Sequence, residues 1–454
     1  MKKFTINSSK TIKDTLEKIE LNEEGIIFIT DDADKIIGVA TDGDIRRKLL
    51  EGVTLNEQIN LCINKDFVSA SDEDSRESLL KLLDSGLKAI PVVDDNNFLL
   101  RVISRNNLPI SKDKKNFSRS RAPVRVSFGG GGSDLTHFFS KSNGAVINAT
   151  ISIYTHASLK KREDTKVVIN SRDLNESLEE DNLELALKKT SKLNLIQSII
   201  SLIKPEYGFE LEIYSDFPPN SGLGGSSAIS AAVLGCFNEF RKDPWDTYEL
   251  SELAFQAERL SLNIAGGWQD QYACTFGGFN FIEFNKDKNI IHPLRIQKST
   301  KLELEENLIL CSTGISHNSG TIHNDQKENM QNEDIENLVK NNVDLTYEIK
   351  NQLLRGKLFD FGKSLDKAWA SKRKFSSKIS SPEIDKIYSE AIHSGAVGGK
   401  LLGAGGGGFF LFYVAPFKRQ KVMNKLESMN LNIYRFTFDD MGLQSWKTRE
   451  EIDN

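Results

Sequence analysis

Over the first hundred residues the hydrophobic positions follow two periods in turn, and the whole pattern occurs twice. Ile27-Phe28-Ile29, closed by Thr30-Asp31-Asp32, is matched 63 residues later by Ile90-Pro91-Val92-Val93 and Asp94-Asp95. Ile36-Ile37-Gly38-Val39-Ala40-Thr41 is matched at the same offset by Leu99-Leu100-Arg101-Val102-Ile103-Ser104. Each copy predicts a helix (through Leu16 or Leu79), a strand, a tight turn, a strand and a second helix opening at Asp42 or Arg105. Residues 111–118 are polar and aperiodic and read as a linker, so a second folded region is expected from Arg119 onward.

In that region Arg121 to Phe128 alternates as a strand, and a short helix is expected over Leu135 to Ser140. A helix runs to about Phe240 behind a glycine loop. Another, opened by Asp246 or Thr247, shows an apolar face of Leu250, Leu253, Ala254, Ala257, Leu260 and Ile264. Helical spacing returns at Ile335-Leu338-Val339-Leu345-Ile349, at Leu358-Phe361-Leu365-Trp369 and over Glu383 to His393. Phe409 to Val414 is an aromatic strand, and Ile433 to Phe438 predicts a final one.

Composition narrows the class. A chain of 454 residues exceeds one compact core and suits two or three domains, here 1–110, 119–300 and 301–454. Its 39% apolar and 27% charged residues are those of an ordinary globular protein. With a net charge of −5 and dispersed Lys and Arg, a nucleic-acid footprint is not expected. The four cysteines (Cys62, Cys236, Cys274, Cys311) form no CxxC pair, which fits a reduced, cytoplasmic protein. No apolar leader follows the N-terminal lysines, and the longest apolar run, Phe409 to Ala415, is far short of a membrane span.

Three glycine-rich segments carry the candidate chemistry. Gly129 to Gly132 follow the first strand and lead into Ser133-Asp134. Four successive glycines cost backbone entropy, and such a run is explained when the backbone must approach a ligand closely. Asp134 beside it can bind sugar hydroxyls or simply cap the next helix. The second segment, Pro218 to Ala228, empties a glycine loop (Gly222, Gly224, Gly225) into a helix N-terminus. That geometry offers free N–H groups and a positive dipole end to a polyphosphate. It lacks the Walker pattern, and its serines are suited to a hard cation. In the third, Gly403 to Gly408, the letters fit a dinucleotide-binding fingerprint. The order is reversed, with a helix before and a strand after, so that match is spurious. Between the last two segments lie Glu258 and Asp270. Their spacing alone is as compatible with solvated surface as with the two carboxylates that phosphoryl transfer requires.

Taken in order, Ala122-Pro123-Val124-Arg125-Val126, the Pro218–Ser227 loop and Gly403–Gly408 resemble the three motifs of the GHMP kinases over residues 119–454. The resemblance implies an α+β fold in which a lobe like domain 2 of ribosomal protein S5 is joined to a ferredoxin-like C-terminal lobe. It implies ATP and Mg²⁺ as cofactors. Arg125 and Asp270 would be catalytic, and Pro219, Ser221, Gly222, Leu223, Gly224, Gly225, Ser226 and Ser227 would bind ATP. Ser226 and Glu258 would hold the metal. Gly131, Gly132, Asp134, Gly405 and Gly406 would face the substrate.

Within the superfamily, RAPVRVSFGGGGSD, GGWQDQYACTFGGFNFIEF and KLLGAGGGGFF are most like the bacterial heptose 7-phosphate kinases. The implied reaction phosphorylates the anomeric hydroxyl of D-glycero-D-manno-heptose 7-phosphate to a 1,7-bisphosphate for GDP-heptose and surface glycan synthesis. Galactokinases carry GEH where this chain has only glycines. A substrate phosphate would need cations, for which Lys372 and Arg373 are candidates. Rival readings are a kinase for an unphosphorylated, fucose- or galactose-like hexose, and a non-catalytic sugar or nucleotide sensor. The N-terminal repeat resembles a tandem CBS pair. In such pairs a hydroxyl and a carboxylate at a strand-to-helix turn, here Thr41 and Asp44, hold a nucleotide; the sequence leaves the oligomeric state open, a homodimer being one option. Asn107 replaces the carboxylate in the second copy. Thr41 and Asp44 read equally well as a helix cap.

Overall fold

The computed structural model describes residues 2–108, 116–315, 319–329 and 332–448, and the chain divides into two compact units, 1–114 and 115–454. The first contains β1 (Thr5–Asn7), α1 (Ile12–Asn22), β2 (Ile26–Thr30), β3 (Ile36–Thr41), α2 (Asp42–Leu50), α3 (Arg76–Asp84), β4 (Ala89–Val93) and β5 (Leu99–Ser104). The predicted strands pair as expected: β2 with β3 and β4 with β5, both antiparallel, while β1 adds to β2 in parallel. Ile12, Ile19, Ile27, Ile29 and Ala40 close one core, and Leu79, Leu83, Ile90, Val92 and Ile103 another. The second copy departs from the repeat. No helix opens at Arg105, and the described residues to Leu108 are turn and coil. The linker expected at 111–118 falls largely outside the described residues. Its last two positions, Phe117 and Ser118, are already strand.

The second unit begins with β6 (Phe117–Gly129), α4 (Thr136–Phe139), β7 (Gly144–Lys161), β8 (Val167–Ser171), β9 (Glu176–Glu180), α5 (Leu183–Lys188), α6 (Asn194–Ile203) and β10 (Phe209–Ser215). There follow α7 (Gly225–Asn238), α8 (Thr247–Phe255), a π-helical turn (Gln256–Ser261), α9 (Gln269–Phe276), β11 (Phe279–Phe284), β12 (Asn289–Pro293) and α10 (Lys298–Asn307). The rest is β13 (Leu308–Ser312), α11 (Ser319–Asn329), α12 (Glu333–Leu354), α13 (Leu358–Lys372), α14 (Pro382–Ser394), β14 (Ala396–Leu401), β15 (Phe409–Val414), α15 (Arg419–Ser428), β16 (Ile433–Tyr434) and β17 (Gln444–Lys447).

Two sheets organise these elements. An eight-stranded sheet runs β12-β11-β7-β10-β8-β9, with β6 on β7 and β17 on β6. A four-stranded sheet runs β14-β15-β13-β16. One core spans both, from Val124, Ile147 and Phe209 through the small-residue helix α7 to Ile349, Phe361 and Leu365. Among the described residues no helix is long and apolar enough to cross a membrane.

Two expectations need correction here. The last predicted strand is only Ile433–Tyr434, and the chain then returns as β17 to the first sheet. Residues 301–454 are therefore not one contiguous lobe. The helix whose apolar face was expected to reach Ile264 ends its α-geometry at Phe255 and widens into the π turn. That widening breaks the 3.6-residue period, so Leu260 is 69% exposed and Ile264 is 36% exposed.

Candidate active site

The site is assembled where β6, the glycine loop before α7, the π turn and the start of α9 converge. Arg125, on β6, is 3% exposed. Its Nε and Nη2 donate to Asp270 Oδ1 and Oδ2 at 2.8 and 2.7 Å, and its Nη1 donates to the Gly222 carbonyl at 2.6 Å. The Arg125 backbone N–H donates to the Leu223 carbonyl at 3.0 Å. One arginine thus ties together the strand, the loop and the carboxylate in the first turn of α9.

Beside this pair, Glu258 is 2% exposed. The hydroxyl of Ser226 donates to its Oε1, that of Ser227 to Oε2 at 3.3 Å, and Gln271 Nε2 to Oε2 at 2.9 Å. Arg259 Nη1 lies 3.2 Å from Oε1. Glu258 and Asp270, which spacing leaves undecided between surface and site, are both inside. Glu258 follows Ala254 and Phe255, the buried residues at the end of α8, at helical spacing, and with Ala257 it is one of the buried residues of the π turn.

The helix start at α7 is uncapped by any side chain, with Gly224 at φ +82 in the N-cap position. Its first N–H groups therefore have no intrahelical partner, and Gly225 and Ser226 line a cavity of about 960 Å³. The loop can lie this close because it packs backbone to backbone on the third glycine segment. A Cβ at Gly403 (φ +69) would sit 2.6 Å from the Gly222 Cα. Pro219, Ser221, Gly222 and Gly224 line the same cavity, as do Arg125, Glu258 and Asp270.

Gly131, Gly132, Asp134 and Lys372 line the cavity as well. Asp134 is 4% exposed, and burial, with the Asp270 charge, pushes its carboxyl up from the ordinary value. It accepts from the N–H groups of Gly132 at 3.2 Å and Gln269 at 3.4 Å. Gly267 leaves it room: a Cβ there would lie 1.9 Å from Asp134 Oδ2. Lys372 is 7% exposed and donates to the carbonyls of Leu401, at 3.5 Å, and Gly403. Burial, followed by the nearby Arg125 charge, pulls its ammonium down to about 8.

Several expected residues lie elsewhere. Leu223 is fully buried and contributes its carbonyl to Arg125, and Ser227 sits behind Glu258. The third glycine segment presents Gly403 and Ala404 to the cavity. Gly405 packs instead on Ile379, and Gly406 N–H donates to the Ile379 carbonyl at 2.8 Å. Arg373 points away, paired with Asp385 at 3.1 Å over the Trp369 ring. In the other unit Thr41 and Asp44 form a capping box at the start of α2, and Arg47 pairs with Asp44. The sequence reading missed the apolar lining of Leu195, Phe217, Ile229 and Ile264, and also Arg259. Only Arg259 carried a signal, as a cation next to Glu258.

The donor set suits a polyphosphate with a hard cation. Ser226 and Glu258 supply oxygens, while among the described residues no group of three or more His, Cys, Asp or Glu could hold a metal alone. An ion here would need phosphate oxygens to complete its shell. The apolar side chains of the lining, with Phe217 against the helix start at Gly225, suit a flat apolar ring.

Comparison with known proteins agrees. The model of the GHMP kinases N terminal domain matches residues 194–278, and that of the GHMP kinases C terminal domain matches 349–430. The CBS domain model matches 1–51 and 58–108. D-glycero-alpha-D-manno-heptose 7-phosphate kinase of Campylobacter jejuni is 37% identical over 335 residues, which cover 72% of this chain and 98% of that protein. Among solved structures, a D-glycero-D-manno-heptose 1-phosphate kinase from Bacteroides thetaiotaomicron superposes with a TM-score of 0.62 at 28% identity. It covers 73% of this chain and 100% of its own. A sugar kinase from Campylobacter jejuni does so with a TM-score of 0.62 at 35% identity, covering 74% and 100%.

Proposed function

The chain belongs to the GHMP kinases, and from that premise we propose that it uses MgATP to phosphorylate the anomeric hydroxyl of D-glycero-D-manno-heptose 7-phosphate. That it is a phosphotransferase acting on a sugar hydroxyl follows from the family and from its relatives. The finer reading is carried by one observation: the uncapped helix start, the Arg125–Asp270 pair and the buried Lys372 all face one cavity. Bound MgATP would supply the phosphoryl group and charge neutralisation, held by the Gly222–Ser226 loop, Ser226 and Glu258.

The chain's own residues then do the following. Arg125 fixes both Asp270 oxygens, so the carboxylate is aimed at an acceptor hydroxyl with no rotamer freedom to lose. Asp270 takes up the hydroxyl proton or orients that hydroxyl. Asp134 accepts from another sugar hydroxyl, and Lys372 faces the phosphate the sugar already carries. The apolar wall of Phe217 and Ile229 keeps water from one side of the nucleotide pocket.

The test is a panel of sugars with ATP, read by ADP release. Heptose 7-phosphate is expected to give the highest kcat/KM. A higher value for unphosphorylated heptose, fucose or galactose would reject the substrate assignment.

A second part of the reading concerns the N-terminal unit, for which we infer regulation by a nucleotide bound near Thr41 and Asp44. The support is the carboxylate at position 44 and its loss at Asn107 in the second copy, which leaves one candidate site per chain. Coupling of about 1–3 kcal/mol would change substrate affinity roughly 5- to 150-fold. A chain beginning at Asn116 should keep basal activity and lose any response to AMP, ATP, GDP or nucleotide sugars. Unchanged kinetics of the full chain with all of them would remove this part.

A further inference from the structure

Behind Lys372, on β14, lies a second buried lysine that neither motif nor mechanism uses. Lys400 is 3% exposed, and no hydrogen-bond or ion-pair acceptor for its ammonium is found among the described residues. Its neighbour in sequence, Leu401, provides one of the carbonyls that hold Lys372, so strand β14 and the end of α13 bring the two side chains to one place. Arg125, Asp134 and Lys372 are the charged groups that act on Lys400, and Arg125, Asp134 and Asp270 those that act on Lys372. The nearby Asp366 and Tyr388 are satisfied by each other.

The charge balance of this buried cluster is uneven. Arg125, Lys372 and Lys400 stand against Asp134 and Asp270, three basic groups against two acidic ones. Of the carboxylates, Asp270 is already committed to Arg125 at two oxygens. Asp134 is pushed toward its neutral form by burial. A buried cation without a partner carries a large desolvation cost, and proteins avoid that cost by pairing or by deprotonation. A bound anion supplies the missing partner.

We propose that Lys372 and Lys400 form a two-lysine cradle for the phosphate that the sugar substrate itself carries, and that this cradle selects phosphorylated over neutral sugars. Lys372, which lines the cavity, contacts the phosphate. Lys400, which is not among the residues lining the cavity, is a positioning residue that acts through Lys372 by adding its charge to the site. The proposal rests on the sugar-phosphate reading above and names the residues that enforce it. It also has a consequence that a structural lysine lacks. Burial and the charges of Lys372 and Arg125 hold Lys400 well below its ordinary value in the free protein. Arrival of a phosphate dianion reverses that balance, so substrate binding should draw a proton from solvent.

The experiment uses the full chain with heptose 7-phosphate, with unphosphorylated heptose as control. Calorimetry at pH 8 in buffers of different ionisation enthalpy is expected to show about half to one proton taken up per sugar phosphate bound, and none with the neutral sugar. Lys372→Met should raise the KM for the sugar phosphate about 10- to 100-fold with the KM for ATP unchanged. Lys400→Met should raise it about 3- to 10-fold and reduce the proton uptake, while Lys400→Arg, whose charge is fixed, should keep KM within about threefold and also reduce the uptake. Both Met variants should narrow the preference for phosphorylated over neutral sugar. Absence of proton uptake by the wild-type protein would overturn the proposal whether or not the variants fold. So would variants in which the KM for ATP rises instead, which would assign the lysines to the transferred phosphate. If the wild-type protein prefers a neutral sugar, the substrate reading fails. If it prefers heptose 7-phosphate while Lys400→Met changes neither KM nor uptake, only the cradle fails.

Discussion

Replacing Asp270 by Asn separates two roles that the geometry assigns to one carboxylate. Asp270 is both the group aimed at the acceptor hydroxyl and the counter-ion of an arginine that is 3% exposed. Removing the charge leaves Arg125 with the Gly222 carbonyl at 2.6 Å and an amide that can satisfy one of its two donors. Breaking a buried ion pair on one side costs about 3–5 kcal/mol, and the residual amide contact places the expected loss near the lower end. A misplaced or absent base costs roughly 10²–10⁴ in turnover. Urea unfolding and steady-state ADP release measure the two effects separately. Arg125→Met in the Asp270→Asn background should recover part of the stability, because it removes the orphaned charge, and none of the turnover. Near-normal turnover in Asp270→Asn would refute its role in catalysis. Unchanged stability in that variant, or no recovery in the double one, would refute the claim that the pair is an energetically coupled unit.

Glu258→Gln should weaken binding of MgATP far more than that of metal-free ATP, and titration of each form by calorimetry checks this; equal losses would remove Glu258 from the metal site. Gly267→Ala should raise the sugar KM by about 10-fold or more, since a Cβ there falls 1.9 Å from Asp134 Oδ2, while the KM for ATP stays put. Burial of Lys372 should add to stability as pH rises, against the loss from buried thiols such as Cys236 and Cys274, which burial keeps protonated in the folded chain. The Lys372 ammonium titrates at about 8 when folded and at 10.5 when unfolded, so between those values the unfolded chain holds a proton that the folded one has released. From pH 7.5 to 9.5 that amounts to about 2 kcal/mol, and Lys372→Met should lack this part of the rise in urea midpoints.

What the sequence made legible was chiefly backbone chemistry. Runs such as Gly129–Gly132 and Gly222–Gly225 declare close approach, and the glycine loop ending in a helix start declares an anion site, because both follow from local geometry. Glu258 and Asp270 were undecided, since their burial depends on how the helices that carry them pack on α7 and β6, which no local period encodes. Lys372 and Arg373 were indistinguishable as a charge run. Adjacent helical residues project about 100° apart, so only one of them can face the cavity, and which one is set by how α13 lies on β14. Lys400 sat unnoticed within a motif read for its glycines. The shortfall of the second repeat at Arg105 was likewise hidden, because the matching strands before it are intact.

The return of β17 to β6 bears on how the protein is made. Gln444–Lys447 pair with Ser118–Arg121, and the Thr448 N–H donates to the Phe117 carbonyl at 3.1 Å. The earliest strand of the kinase unit therefore keeps one bare edge until Gln444–Lys447 have been made. An unpaired edge is a template for association with other chains. During synthesis, then, the strand that carries Arg125 waits for Gln444–Lys447 to be translated before its sheet is closed, and any truncation upstream of Gln444 leaves that edge open for good.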